Sequence, residues 1–220
     1  MIQNALQELI RLTWIKAGKE DNILYAKSGS DLKGLPSSLK ELYSFADGQK
    51  EELVPIFEMY RFLQSKEAFE FKRSMDEVAL EEGWYEDHWW EKTWFPFAED
   101  GAGQFLVVDK NSGNVLEFNH DDPIRPILAE SLEAYIYSLV VGLKSGELTY
   151  DVEIGICSTE DLERYRKKQK SWVHSRTAST LLQSLRRFVP KKPTKSDLLE
   201  WMLAVGIGFF GFWMNKTYCR

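Results

Sequence analysis

The sequence predicts an α+β domain with a mainly antiparallel sheet, and three observations carry that prediction. Apolar residues recur at helical spacing in the first eighty residues. Short apolar runs separated by acidic, glycine-bearing turns follow between 93 and 119. A further helical period then runs from Leu132 to Leu143. Helices, then a meander of short strands, then a helix is the order of an α+β fold.

The elements follow in sequence. Ile2, Leu6, Leu9, Ile10 and Thr13 predict one amphipathic helix over 2–17, stopped near Gly18. Residues 28–34 read as a loop. Pro36 suits a helix start, because the missing N–H has no partner to lose there. Leu39, Leu42, Tyr43 and Ala46 share that helix's face, and Gly48 suits a left-handed cap beyond it. Leu53 to Leu63 is apolar and aromatic enough for a strand. Ser65 is the expected cap of a helix over 66–82, with Ala68, Phe71, Met75 and Val78 on one side and Gly83 ending it. Strands are expected near 93–98, 104–109 and 114–119, with Lys110-Asn111-Ser112-Gly113 and His120-Asp121-Asp122-Pro123 as turns. Ser131 caps the last helix, which ends near Gly146.

The chain has 220 residues and two cysteines, Cys157 and Cys219, too far apart for metal-ligand spacing. Met1 leads into Ile2-Gln3-Asn4-Ala5-Leu6 with no basic segment before an apolar run, so a cytoplasmic, reducing location is expected. The net charge of −6 hides an asymmetry. Residues 1–158 hold 15 Lys+Arg against 29 Asp+Glu, a charge of −14; residues 159–220 hold 13 against 5, a charge of +8. This predicts a domain over 1–158, a basic helical linker over 159–193 and an apolar C-terminal helix over 194–220. An acidic body repels nucleic acid and steers basic proteins toward itself.

Little in the chain suggests catalysis. Gly101-Ala102-Gly103 lacks the third glycine of a dinucleotide loop, and Gln104 onward reads as strand where a phosphate site needs a helix start. Glu99 and Asp100 are adjacent on a turn, without a nucleophile or histidine placed beside them. His120, Asp121 and Asp122 have turn chemistry that explains them without a metal. No catalytic residue, cofactor or metal is therefore assigned.

Two segments invite a binding role. Trp84, Tyr85, Trp89, Trp90 and Trp94 alternate with Glu86, Asp87, His88 and Glu91. They read either as core and rim of the sheet or as a partly exposed surface of tryptophan anchors ringed by acid. The second reading makes Trp84, Tyr85, Glu86, Asp87, Trp89, Trp90 and Glu91, with Glu99 and Asp100 on the neighbouring turn, the partner-binding candidates. The other segment is Trp201 to Met214, uninterrupted apolar or glycine and extended backward by Leu198 and Leu199 across Glu200. At about 21 Å as a helix it is short against a hydrocarbon core of roughly 30 Å. Trp201 and Trp213 suit membrane interfaces, and Arg186, Arg187, Lys191, Lys192 and Lys195 on one side outweigh Lys216 and Arg220 on the other. Membrane contact through 198–214, with the domain on the cytoplasmic side, is the expectation; a helix packed on the domain is the alternative. The basic run from Arg164 to Arg187 reads as a solvated face before it reads as a nucleic-acid contact.

From Leu35 to about Glu153 the chain resembles the SUKH superfamily, which comprises bacterial immunity proteins and Smi/Knr-type fungal cell-wall regulators. Leu35-Pro36, Leu39, Tyr43 and Asp47-Gly48 carry the first part of the likeness, with Asp-Gly where the family usually has Asn-Gly. Trp94 to Gly103, then Asp109 and Gly113-Asn114-Val115, carry the second, and Leu128 to Tyr135 the third. The resemblance implies a curved sheet flanked by helices, no catalytic residues and a protein partner. In the bacterial members that partner is a toxin, often a nuclease, and the acidic body here suits a basic one; in the fungal members the role is signalling and scaffolding.

Overall fold

The computed structural model describes residues 1–18, 24–27, 32–50 and 54–167. The chain divides into two units, Met1–Cys157 and Ser158–Arg220.

The first unit opens with α1 (Ile2–Ile10), which continues into a π-helical turn at Arg11–Ile15. The Thr13 hydroxyl donates to the Leu9 carbonyl at 2.8 Å, a back-bond that competes with the regular helical ladder where the helix widens. α2 (Ser37–Phe45) follows, with Pro36 as its N-cap. Gly48 has φ +88° as expected, but the helix has already ended at Phe45 with an extended Ala46, so this glycine lies beyond the cap.

The strand expected over 53–63 is a correction. Among the described residues only β1 (Arg61–Phe62) forms there, preceded by a tight turn in which Phe57 and Tyr60 exchange backbone hydrogen bonds. Aromatic content marked this stretch as buried but did not make it extended. α3 (Ser65–Glu81) begins one residue earlier than predicted, and its cap is Gln64. Gln64 and Glu67 form a reciprocal capping box, while the Ser65 N–H goes to the Asp47 carboxylate at 2.7 Å. Val78, placed on the buried side by its spacing, is exposed, and Ala79 is buried in its stead.

β2 (Trp94–Glu99), β3 (Phe105–Asp109), β4 (Val115–Phe118) and β5 (Ile127–Ala129) complete a five-stranded antiparallel sheet in the order β1-β2-β3-β4-β5. Asp100 shapes the β2–β3 turn: one carboxylate oxygen accepts the N–H groups of Ala102 (2.7 Å) and Gln104 (3.0 Å). Gly101 and Gly103 take the positive φ this turn requires. Asp109 closes β3 by accepting from the Asn111 N–H and the Ser112 hydroxyl. Burial pushes its carboxyl up, but these hydrogen bonds outweigh that and leave it below the ordinary value. α4 (Leu132–Ser145) starts at Ser131, whose hydroxyl accepts the Ala134 N–H, and stops at a left-handed Gly146. β6 (Leu148–Asp151) and β7 (Gly155–Ser158) form a separate hairpin.

The sheet is covered on both faces. Phe95, Phe97, Leu106, Val108 and Val115 join α1, α2 and α4 in the main core. Trp94, Phe105, Val107, Leu116 and Phe118 form a second core with Ala79 of α3 and Trp90. The alternation along β3 is the period of two that a pleated strand imposes.

Of the second unit, residues 159–167 are described as helical. The Ser158 hydroxyl accepts the Asp161 N–H at 3.0 Å and so caps that helix. The remainder of the basic linker, the apolar C-terminal helix and the 198–214 membrane segment lie outside the described residues, as do residues 28–31 of the expected loop. Among the described residues no helix is long and apolar enough to cross a membrane.

Candidate functional site

The aromatic–acidic segment lies where α3 ends and the chain turns back to enter β2. Gly83, at φ +73°, follows the helix, and turns run through Trp84–His88. The segment forms a lid over the second face of the sheet. Trp90 is fully buried, edge-on to Trp94 at 5.6 Å and to Phe118 at 5.0 Å. Trp84 lies 6.3 Å from Phe118 and 6.4 Å from Trp89.

One carboxylate ties the lid to the helix. Asp76 accepts from the Tyr85 hydroxyl at 2.9 Å and from the Trp90 indole N–H at 2.9 Å, and it pairs with Lys72 one turn earlier. Burial, and then the bond to Asp76, pushes the Tyr85 phenol up to about 12. Burial lowers Lys72, against the opposing pull of Asp76. On the far side, the Arg125 guanidinium lies over the rings of Trp89 (4.9 Å) and Phe118 (4.7 Å). It also donates to the Trp89 carbonyl at 3.0 and 3.2 Å. Cation–π contact and hydrogen bonding together fix this edge of the lid. The Trp89 indole N–H is buried, with no hydrogen-bond partner among the described residues.

The sequence-named residues therefore separate into three groups. Trp84, Tyr85 and Trp89 are half-buried. Glu86 and Asp87 are exposed on the lid, near exposed Glu81 and Glu82 in the chain, while half-buried Glu91 meets the His88 ring nitrogen at 2.7 Å. Trp90 is a core residue, and Asp100 is buried as the scaffold of its turn. Glu99 belongs to a different network: it accepts from Arg61 Nε at 3.1 Å, while the Arg61 fork holds Glu67 at 3.0 and 3.1 Å. Lys72, Asp76, Lys92 and Arg125 were not singled out from the sequence. The i,i+4 spacing of Lys72 and Asp76 is the signal that could have found one of these contacts.

A groove of about 600 Å³ adjoins the lid, lined by Phe69, Lys72, Leu80, Tyr85, Lys92 and Phe95. Leu80 is 74% exposed at its rim. The lid presents half-buried aromatic rings and exposed acidic side chains, while the groove beside it is of mixed charge. The chemistry of the lid suits contact with a basic, partly apolar surface.

No curated protein matches the chain in a sequence search. The family model described as SMI1 / KNR4 family (SUKH-1) matches residues 32–138. That span runs from the turn before α2 through the five-stranded sheet and the lid into the first half of α4. With the antiparallel sheet and its helices inside this span, residues 32–138 are a SMI1 / KNR4 family (SUKH-1) domain.

Proposed function

We propose that this protein is a non-enzymatic binding module of the immunity type, which neutralises a basic partner toxin by covering it with the acidic lid. The observation that carries the reading is the exposed acidic row Glu81, Glu82, Glu86 and Asp87 over a tryptophan-packed platform. The −14 charge of residues 1–158 supports it, because a field of that sign speeds encounter with a cationic partner. Trp84, Tyr85 and Trp89 supply the apolar anchors, and Glu86, Asp87 and Glu91 the charged rim. Trp90, Glu99 and Asp100 serve by holding the lid and the adjacent turn in shape. In this reading residues 1–158 are the recognition domain.

The test is co-purification with the product of a neighbouring toxin gene, followed by assay of that toxin. Loss of toxin activity at stoichiometric protein is the expected result; a toxin fully active at saturating protein rejects the pairing.

A second reading rests on the tail. The apolar run 198–214 behind the basic run 186–195 suits a membrane-tethered adaptor, cytoplasmic in its domain and anchored at its C-terminus. Fractionation of the full chain against a 1–158 truncation decides it: the full chain sediments with membranes and the truncation does not. A full chain found wholly in the supernatant removes the tether.

A further inference from the structure

The apolar face under the lid continues past the lid's edge. Ile127 of β5 stands directly opposite Leu116 of β4, so the two side chains share one face of the sheet. Leu116 belongs to the tryptophan-packed core on that face. The β4–β5 register shifts between Val115 and Leu116, and Leu128 and Ala129 both pack against the main core. This irregularity at the sheet edge leaves Ile127 as the β5 side chain on the lid face. Ile127 is 60% exposed, and Ile124, in the loop leading to β5, is 67% exposed. Pro123 and Pro126 beside them are exposed as well. The lid thus stops short of an apolar strip.

One side chain holds the strip against the lid. Arg125 donates through Nε and Nη2 to the Trp89 carbonyl, and through Nη1 to the carbonyls of Asn119 (3.1 Å), Ile124 (3.0 Å) and Asp122. A single guanidinium therefore gathers the Ile124 and Trp89 backbones onto itself. Two side-chain turns shape the loop further: Asn119 accepts the Asp121 N–H at 2.9 Å, and Asp122 accepts the Ile124 N–H at 2.8 Å. The Glu117 N–H donates to the Pro126 carbonyl at 3.1 Å and ties the far end to β4. A strip fixed in this way loses little conformational freedom when a partner covers it. Exposed acids flank it: Glu86 and Asp87 just before Trp89, Asp121, which meets His120 at 3.3 Å, and Glu130 after β5. The cation in its midst, Arg125, is half-buried and turned to carbonyl oxygens and to the rings of Trp89 and Phe118.

We propose that Ile124 and Ile127, positioned by Arg125, form the apolar centre of the partner-binding surface and take an apolar side chain that stands among lysines or arginines on a partner protein. The acids on either side complement such a partner and disfavour an acidic one. The proposal rests on the protein-binding reading and carries its surface beyond the lid to the β4–β5 loop and the edge strand.

The experiment titrates the full chain, with labelled isoleucine methyls, against two synthetic peptides of equal length and charge. One alternates lysine with leucine, the other lysine with serine. The lysine–leucine peptide is expected to bind at least about tenfold more tightly, with the largest NMR shifts at Ile124 and Ile127. Equal affinities, or no shift at these two methyls, overturn the proposal. Ile124→Ser with Ile127→Ser should keep the unfolding midpoint and bind both peptides alike; a preference unchanged in this variant overturns the proposal too. Self-association of the full chain that the double variant abolishes also overturns it, because the strip then belongs to a second copy. The wild-type comparison stands even where the variant fails to fold. A toxin inhibited equally by the wild type and the folded double variant rejects the strip and leaves the toxin-binding reading intact. Failure to capture a toxin leaves the peptide result intact.

Discussion

On one face of the sheet, Phe95, Phe97, Leu106, Val108 and Val115 meet the apolar sides of α1, α2 and α4. On the other, Trp94, Phe105, Val107, Leu116 and Phe118 meet α3 and the lid. The first core is large, drawn from distant parts of the chain, and rich in aliphatic side chains. The second is small and aromatic, and Asp76, Lys72 and Arg125 bind its edge. Non-directional burial supplies most of the stabilisation in the first. Directed contacts add to burial in the second and fix where each ring and rim charge points. The difference suggests a division of work, with stability under the helices and recognition on the lid.

That division is testable by substitution. Trp90→Ala should cost about 3–5 kcal/mol in urea unfolding, and Leu39→Ala in the main core about 2–5 kcal/mol. If the faces are separate, the double variant adds within about 0.5 kcal/mol, as distant sites do. A coupling above about 1 kcal/mol would merge the two cores into one.

Glu58 sharpens the comparison from the main-core side. Its folded value, about 7, lies above its ordinary 4.5, so the folded protein keeps a proton that the unfolded chain releases. The associated stability is full below pH 4.5 and is lost as pH rises through 7. The loss should be about 2–3 kcal/mol, and Glu58→Gln should flatten that part of the stability–pH curve. On the lid side, Asp76→Asn should cost about 1–2 kcal/mol, because Lys72 loses its buried partner. The Tyr85 phenol should then titrate below its present value of about 12, read from its ultraviolet absorbance. Smallest of all, Glu86→Lys with Asp87→Lys should change stability by less than about 0.5 kcal/mol, since both are exposed. A larger loss would mean that these acids hold the lid together and do not merely decorate it.

What the sequence made legible was local. Ser131 and Gly146 bracket α4, and Asp100-Gly101-Ala102-Gly103 writes the β2–β3 turn, because caps and turns are built from neighbouring residues. The shortfall at 53–63 and the unforeseen β5, β6 and β7 have a different origin: short strands exist only through pairing. Strands β2 and β3 are buried on both faces, so they lack the polar alternation that marks a half-exposed strand. The lid's aromatic content was plain, but whether each tryptophan faces in or out was not. Trp90 is a core residue because Asp76, fourteen positions earlier, receives its indole. The Tyr60–Glu117 contact, 57 positions apart, had no local signature at all.

The proposed function assigns toxin binding to the acidic lid. The most direct measurement is inhibition of the adjacent-gene toxin by the wild-type chain and by the Glu86→Lys, Asp87→Lys variant, at equal concentrations and with folding checked by unfolding midpoint. The account predicts that the variant keeps its fold and loses at least about tenfold in inhibitory potency, the equivalent of 1.4 kcal/mol. A folded variant that inhibits as well as the wild type would contradict it.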